Sequence, residues 1–218
     1  MKTCIGIISW LPDSEEVRLI RLKRLKNLIY KCRTNMDNLH IFIIAQNWNH
    51  TEFKPRTYMT VYYYDKLGIT GAREELRKKF LESDYDYMLC LDDDFELTDY
   101  KSEFDNYLKI ATKLPGKLTV HKNYLMNLCV VSRYIAEKYP FDTTISAEDG
   151  TGFEDWIWIS VIENREPTRV IKLNNFKLAA RERKELVNDE YSTWIGNCTN
   201  KDELTKKSKE LIDKFTKK

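Results

Sequence analysis

Two acidic clusters in this chain have the residue types and spacing of a metal site and an acid–base site. Three consecutive aspartates, Asp92, Asp93 and Asp94, directly follow an apolar run at residues 87–91. If that run is a strand, its side chains alternate, so Asp92 and Asp94 point to one side, about 7 Å apart, and Asp93 points to the other. At an effective dielectric constant near 20, two such charges repel by roughly 2 kcal/mol. A hard divalent cation, Mg²⁺ or Mn²⁺, would reverse the sign of that energy.

Two alternatives compete with this metal site. One is a solvated acidic turn, which often follows a strand; the metal site is favoured because the aspartates adjoin a buried segment rather than a loop. The other is a calcium-binding EF-hand loop, because acids recur at positions 1, 3, 5 and 12 of DDDFELTDYKSE. The sequence excludes that loop, since Leu97 occupies the sixth position, where the sharp turn requires glycine.

The second acidic cluster lies in the stretch TGFEDWIWISVI, where Glu154 and Asp155 precede an apolar segment with helical character. Carboxylates at a helix N-terminus are stabilised by the helix dipole, so a capping acid is the more common explanation of such a pair. The functional explanation makes Asp155 a general base beside a hydroxyl acceptor, with Trp156 as a flat platform for a sugar or another ring. Glu148 and Asp149 repeat the pair of acids without the neighbouring tryptophan.

Strands and helices that alternate along the chain must position these acids. Buried strands are predicted at residues 3–10, 40–48, 58–65 and 87–91. Helices are predicted from the Asp13-Ser14-Glu15-Glu16 capping signal to residue 32 and from about residue 70 onwards, because apolar residues recur there at helical spacing. This order predicts an α/β fold with a mostly parallel central sheet covered by helices on both faces. Ligands of such sheets bind beyond the carboxyl ends of the strands, where the three aspartates lie.

The length and composition predict one folded domain. The chain has 218 residues, of which 42% are hydrophobic and 32% charged. We expect a core at residues 1–165, which carries both acidic clusters, and an extension of the same domain at residues 166–218. Within the extension, the polar stretch 181–197 is predicted to act as a lid. Residues 201–218 are predicted to form an amphipathic basic helix.

The cysteines and the charge limit the compartment and the partners. Five scattered cysteines, none in a CxxC pair, are typical of free thiols in a reducing compartment and exclude a zinc knuckle. The first apolar run is too short for a signal peptide and no run reaches membrane-spanning length, so we expect a cytoplasmic protein. A net charge of +2 gives no overall signal for nucleic-acid binding.

The order of these motifs resembles a small GT-A-fold nucleotide-sugar glycosyltransferase. The similar motifs are a strand with Ser9 at its end, a strand that ends in Gln46-Asn47, and then GITGARE, LDDD and GFEDW. The resemblance implies that Asp94 binds the Mn²⁺ or Mg²⁺ ion of the DxD element and that Asp92 faces the ribose or the metal. It also implies that Asp155 is the base, with Glu154 and Trp156 at the acceptor.

Further site residues follow from the same resemblance. Arg73 would support the DxD loop and the diphosphate, while Ser9, Asn47 and Asp93 would lie near the nucleotide. Many relatives add a late histidine, but the histidines of this chain are His40, His50 and His121. Either a residue of the stretch 181–197 replaces it, or the metal has fewer protein ligands. The candidate replacements are Asn188, Asp189 and Glu190.

The implied activity is the metal-dependent transfer of a sugar, with inversion, from a nucleotide-sugar donor such as a UDP-sugar to a hydroxyl acceptor. The acceptor remains open among a saccharide, a lipid-linked group, a protein side chain and a modified nucleic-acid base. One alternative is a sugar-nucleotide-forming nucleotidyltransferase, although SWLPDSEE follows the first strand where those enzymes carry a glycine-rich basic loop.

A second alternative is a non-catalytic module that binds anionic partners, such as a membrane surface or nucleic acid, through basic helices. Such charge runs are usually solvated faces of helices. The basic residues of the first helix are Arg18, Arg21, Lys23, Arg24, Lys26 and Lys31.

Overall fold

A seven-stranded sheet organises this chain, which we analyse in a computed structural model. The structure describes residues 1–11, 13–36, 39–49, 51, 53–99, 101–121, 125–143, 154–178, 206, 209, 210 and 213. The predicted lid at 181–197, with its three candidate metal ligands, and the pair Glu148 and Asp149 lie outside these residues. The four last described residues are helical and exposed.

The sheet has the order β3-β2-β1-β4-β6-β5-β7. Strands β1 to β4 run parallel to one another, β6 is antiparallel to both of its neighbours, and β7 is parallel to β5. The predicted α/β fold with a mostly parallel sheet is therefore confirmed. The strands are β1 (Thr3–Trp10), β2 (His40–Gln46), β3 (Met59–Tyr64), β4 (Tyr87–Asp92), β5 (Leu118–His121), β6 (Leu125–Ser132) and β7 (Val170–Leu173).

Helices cover both faces of the sheet, as predicted. The first and third helices bury their apolar residues in the core on one face, and the second, fourth and fifth do so on the other. A short 3-10 helix (Pro167–Arg169) leads into β7. None of the described helices is long and apolar enough to span a bilayer. The helices are α1 (Glu15–Asn35), α2 (Gly68–Glu82), α3 (Lys101–Thr112), α4 (Arg133–Lys138) and α5 (Glu154–Arg165).

A glycine in β1 lets α2 approach the sheet closely. A Cβ atom added to Gly6 would lie 2.7 Å from Met88 Sδ and 2.8 Å from a methyl group of Leu76 in α2. Real Cβ contacts are not that short, so a larger residue at this position would push α2 away from the sheet. The close approach places the first turns of α2 beside the end of β4.

Several element boundaries differ from the sequence-based expectation. Helix α2 begins at Gly68, so Arg73 lies in its second turn and not at its N-terminus, which corrects the expected position. Strand β2 ends at Gln46 because Asn47 adopts a left-handed backbone conformation with φ of 58°. Strand β7 lies after residue 165, within the predicted extension, and pairs with β5 in the same sheet.

Candidate active site

The three aspartates stand at the edge of the sheet where β1, β2 and β4 end. Strand β4 ends at Asp92, which is aligned with Ile8 of β1. Asp93 and Asp94 then form a tight turn, in which the backbone N–H of Phe95 donates to the carbonyl of Asp92 at 3.1 Å. Because β1, β2 and β4 are parallel, their carboxyl ends meet at one edge, which we call the rim. Ligands of α/β sheets bind at such an edge.

On the α2 side of the rim, Asp92 pairs with Arg73. Two guanidinium nitrogens of Arg73 lie 3.3 Å from the two carboxylate oxygens of Asp92, and both residues are buried. Burial raises the pKa of Asp92 to about 6; Arg73 opposes this rise, whereas the charges of Asp94 and Asp155 add to it. The second acidic cluster, at the start of α5, is thus near enough to the first to affect its ionisation.

The neighbouring Glu74 pairs with Arg77 and not with Arg73. Glu74 is bound by two nitrogens of Arg77, each at 2.7 Å, and accepts the backbone N–H of Phe141 at 3.0 Å. These contacts hold Glu74 within the interface between α2 and the chain beyond α4. Arg73 is directed instead to the end of β4.

On the α1 side of the rim, Asp93 takes part in a buried polar network. The hydroxyl of Ser9 donates to Asp93 Oδ2 at 2.6 Å, and the indole N–H of Trp48 donates to Ser9 Oγ at 3.2 Å. Arg21 Nη1 lies 3.9 Å from Asp93 Oδ2 and donates to the carbonyl of Trp10 at 2.7 Å. Burial raises the pKa of Asp93, while the positive charge of Arg21 opposes that shift.

Sequence reasoning missed Arg21 as a site residue by counting it among the solvated basic residues of α1. The structure corrects this, because Arg21 is only 3% exposed. A signal was present: Arg21 precedes Leu25 by four residues and Ile29 by eight, so it shares the apolar stripe of the helix. A charged residue on such a stripe needs a buried partner, which here is Asp93.

At the end of β2, Asn47 connects two loops of the rim. Its amide nitrogen donates to the carbonyl of Leu11 at 2.7 Å and to the carboxylate of Asp13 at 3.0 Å. Asparagine is among the few residues other than glycine that tolerate the left-handed conformation, and its short polar side chain can bond locally. Asn47 therefore fixes the β1–α1 connection against β2.

A polar pocket of about 560 Å³ opens beside Asn47, beyond the ends of β2 and β3. Its wall combines guanidinium, amide, carboxylate and aromatic side chains, the chemistry that a nucleobase and its ribose require. The lining residues are Arg18, Asn47, Trp48, Asn49, Tyr63, Tyr64 and Asp65. Because Trp48 also belongs to the Asp93 network, this pocket adjoins the acidic turn.

Asp155 lies in the first turn of α5 and accepts one of the backbone N–H groups that the start of a helix leaves unpaired. Its Oδ1 atom accepts the backbone N–H of Trp156 at 2.6 Å, and both side chains are half-buried. Glu154 is the first residue of α5, and the structure describes its backbone only. The contact agrees with the capping explanation, whereas the charge that Asp155 exerts on Asp92 agrees with a place in the site.

The acidic turn suits a divalent metal only if the substrate completes the coordination. Asp92 Oδ1 is buried and makes no hydrogen bond among the described residues, although Arg73 Nη1 lies 3.3 Å away, and Asp94 beside it is half-buried. In the described part of the chain, no three His, Cys, Asp or Glu side chains are grouped to hold a metal ion. Mg²⁺ is commonly bound by one or two carboxylates together with substrate phosphates, and these residues fit that arrangement.

The two described histidines have other partners. The ring of His40 contacts the hydroxyl of Thr60 at 2.9 Å, at the start of β2 and therefore at the edge opposite to the rim. His121 is buried at the end of β5, and its Nε2 donates to the carbonyl of Phe176 at 3.1 Å.

Comparison with known proteins identifies the fold. No family model and no curated protein sequence matches the chain. Among solved structures, TarS 1–349 from S. aureus in complex with UDP-GlcNAc matches at a TM-score of 0.58 and 8% identity, over 99% of this chain and 71% of that one. Mannosyltransferase PcManGT from Pyrobaculum calidifontis, in complex with GDP-Man and Mn²⁺, matches at 0.54 and 12% identity, over 80% of this chain and 55% of that one.

The same fold also occurs in a nucleotidyltransferase. A Bacillus anthracis protein described as a glucose-1-phosphate thymidylyltransferase matches at a TM-score of 0.51 and 13% identity, over 79% of this chain and 86% of that one. A further TarS 1–349 structure matches over 82% of this chain and 59% of its own, so this chain spans little more than half of two of these relatives. The chain has the GT-A-like fold of nucleotide-sugar transferases.

Proposed function

We propose that this protein is a metal-dependent glycosyltransferase that moves a sugar from a nucleotide-sugar donor, a UDP-sugar in the first instance, to a hydroxyl acceptor. The observation that carries the proposal is the arrangement of the rim. There, a pocket suited to a nucleotide and an acidic turn suited to a metal and a diphosphate share one edge of a GT-A-like sheet, and the charge of Asp155 raises the pKa of Asp92 in that turn.

The donor nucleotide occupies the 560 Å³ pocket in this proposal. Trp48 and Tyr63 offer aromatic surface to a base, and Arg18 and Asp65 offer a donor and an acceptor of hydrogen bonds. Asn47 shapes the pocket wall through its contacts with Leu11 and Asp13. The relatives with UDP-GlcNAc and with GDP-Man support a nucleotide-sugar donor without deciding the base.

Asp94, with Asp92 beside it, would hold a Mn²⁺ or Mg²⁺ ion. The Mn²⁺ in the related mannosyltransferase structure supports a divalent metal. When bound, such an ion supplies Lewis-acid neutralisation of the charge that develops on the departing diphosphate. Arg73 keeps Asp92 ionised at neutral pH and fixes the direction of its carboxylate, so the end of β4 presents a defined acidic surface.

The reaction that these residues support is a single displacement at the anomeric carbon. The acceptor oxygen forms the new bond to that carbon while its proton passes to the carboxylate of Asp155. The bond from the anomeric carbon to the diphosphate oxygen breaks, and the nucleoside diphosphate leaves with the electron pair through an oxocarbenium-like transition state. Attack opposite the leaving group inverts the anomeric configuration. Trp156 and Glu154, next to the base, would contact the acceptor.

The proposal is tested by titrating the purified chain with UDP-, GDP-, dTDP- and ADP-sugars, with Mn²⁺ and with EDTA. We expect one donor to bind with Mn²⁺ and to be hydrolysed slowly when no acceptor is present. Absence of binding for every donor would refute the proposal. Salt-dependent binding to DNA or to anionic vesicles, without donor binding, would support the anion-binding module instead.

The thymidylyltransferase relative makes a nucleotidyltransferase the second candidate. Such an enzyme would release pyrophosphate from a nucleoside triphosphate and a sugar 1-phosphate, so a pyrophosphate assay separates the two activities. The β1–α1 connection disfavours it, because SWLPDSEE has no glycine and is acidic where a triphosphate would need basic groups and close backbone approach.

A further inference from the structure

Two successive hydrogen bonds connect the wall of the pocket to the acidic turn. Trp48, which lines the pocket, donates to Ser9 Oγ, and Ser9 donates to Asp93 Oδ2. The directions are fixed because an indole nitrogen only donates and an ionised carboxylate only accepts. A hydroxyl can accept from one neighbour and donate to the other, so Ser9 is chemically suited to the middle position.

This chain of hydrogen bonds is shielded from solvent. Ser9, Asp93 and Trp48 are 2%, 6% and 7% exposed. A buried carboxylate remains ionised only when a countercharge and hydrogen-bond donors stabilise it, and Arg21 and Ser9 provide both. Charge-assisted hydrogen bonds in such surroundings are strong and strictly directional. The bonds therefore hold the end of β4 at a defined position relative to the segment that follows β2.

We propose that Ser9 is a positioning residue that sets the acidic turn, and with it Asp94, relative to Trp48 in the nucleotide pocket. In this proposal Ser9 and Asp93, both buried, act by positioning the turn and not by contacting the nucleotide. Asp94 follows Asp93 in the same tight turn, so releasing Asp93 displaces Asp94 as well.

The proposed function explains why the position of the acidic turn relative to the pocket matters. A nucleoside diphosphate that occupies both the pocket and the metal site must satisfy the two at once, because its base and its diphosphate are joined covalently. A displaced turn should therefore weaken binding of the nucleoside diphosphate in the presence of the metal. Binding without metal, which depends on the pocket, should stay the same. This inference rests on the proposed function.

The test measures the affinity for UDP by calorimetry, with EDTA and with saturating Mn²⁺. In the unaltered protein, Mn²⁺ should tighten binding. We call the ratio of the dissociation constant in EDTA to that in Mn²⁺ the gain from Mn²⁺. In Ser9→Ala this gain should fall about tenfold, the factor expected for loss of one hydrogen bond to a charged group, while the affinity in EDTA changes by less than about twofold. Ser9→Thr, which keeps the hydroxyl, should retain most of the gain.

Two further variants separate positioning from stability. Ser132→Ala removes another buried serine hydroxyl, at the opposite end of β4 where Ser132 pairs with Tyr87, and should leave the gain from Mn²⁺ unchanged. Trp48→Phe removes the indole N–H that reaches Ser9 together with part of the ring that lines the pocket. The affinity in EDTA reports the change in the pocket, and the gain from Mn²⁺ should fall about threefold, which keeps the test decisive if Ser9→Ala fails to fold.

A Ser9→Ala protein with a lowered melting temperature and an unchanged gain from Mn²⁺ would overturn the proposal, because the hydroxyl would then serve stability alone. If Ser9→Ala does not fold, an unchanged gain in Trp48→Phe would overturn it. If the unaltered protein binds none of UDP, GDP, dTDP and ADP, or binds them equally with and without Mn²⁺, the proposed function fails and this inference fails with it. The two failures are distinguishable because they appear in different proteins.

Discussion

Replacing Arg73 with methionine should destabilise the metal-free protein by about 1 kcal/mol at pH 7, and the loss should depend strongly on pH. The two charges of the Arg73–Asp92 pair are 3.3 Å apart and buried. At an effective dielectric constant of 20, their attraction is about 5 kcal/mol. The variant does not lose all of this energy, because the Asp92 left behind can take up a proton.

The limit on the loss follows from proton linkage. With Arg73 present, the pKa of Asp92 is about 6. Relative to an unfolded value near 3.9, ionised Asp92 then costs about 3 kcal/mol. Without Arg73, keeping Asp92 protonated at pH 7 costs about 4 kcal/mol, and the difference is about 1 kcal/mol. The same calculation gives up to about 3 kcal/mol at pH 8 and nearly zero at pH 5.

The sign follows from the raised pKa. An acid whose pKa is higher in the folded state contributes stability at low pH, and that stability is lost as pH rises. In the unaltered protein the loss is complete near pH 6, above which Asp92 is ionised beside Arg73. In Arg73→Met the loss continues through pH 7 and pH 8, because the pKa of Asp92 rises further when the guanidinium is removed.

Urea unfolding in EDTA at pH 5, 7 and 8 measures this effect. In an Asp92→Asn background, Arg73→Met should cost an amount that does not vary with pH, because no titrating partner remains. If Arg73→Met alone lowers the free energy of unfolding by the same amount at all three pH values, the reasoning is refuted. A cost near 5 kcal/mol at pH 7 would also refute it, because Asp92 would then stay ionised without its partner.

Three other predictions concern the rim. Asp94→Asn should abolish the strengthening of UDP binding by Mn²⁺, measured by calorimetry, without loss of fold; turnover that still depends on metal would contradict the assignment. Asp155→Asn should lower turnover by roughly 10²–10⁴-fold with donor binding retained, whereas a mere cap would lose about 1 kcal/mol of stability or less and keep its activity. If Asp149→Asn abolishes transfer and Asp155→Asn does not, Asp155 is not the base. Asn47→Ala should unfold at lower urea than Asn47→Gly, by roughly 0.5–1 kcal/mol, because alanine resists the left-handed conformation; equal stabilities would show that this conformation carries no cost.

The sequence alone predicted the parts of the fold that local periodicity encodes. Continuous apolar runs indicated β1 to β4, and apolar residues at helical spacing indicated α1 and α2, so the α/β class followed. The position of the acidic turn was also predicted, because three aspartates after a buried run can only stand at its end. The sequence did not predict β5, β6 and β7; β5 and β7 have four residues each, too few for a periodic pattern to develop.

Only the tertiary structure decided which charged groups meet. Arg73 and Asp92 are 19 residues apart, and Arg21 and Asp93 are 72 residues apart. The place of Arg21 on the apolar stripe of α1 indicates that it is buried, but nothing in either local sequence identifies Asp92 or Asp93 as the partner of an arginine rather than a near neighbour such as Glu74. Periodicity determines which face of an element is buried, but the partner on that face depends on strand order and on which helix covers which side. Those are properties of the packed chain, where burial makes an unpaired charge costly and so selects its partner.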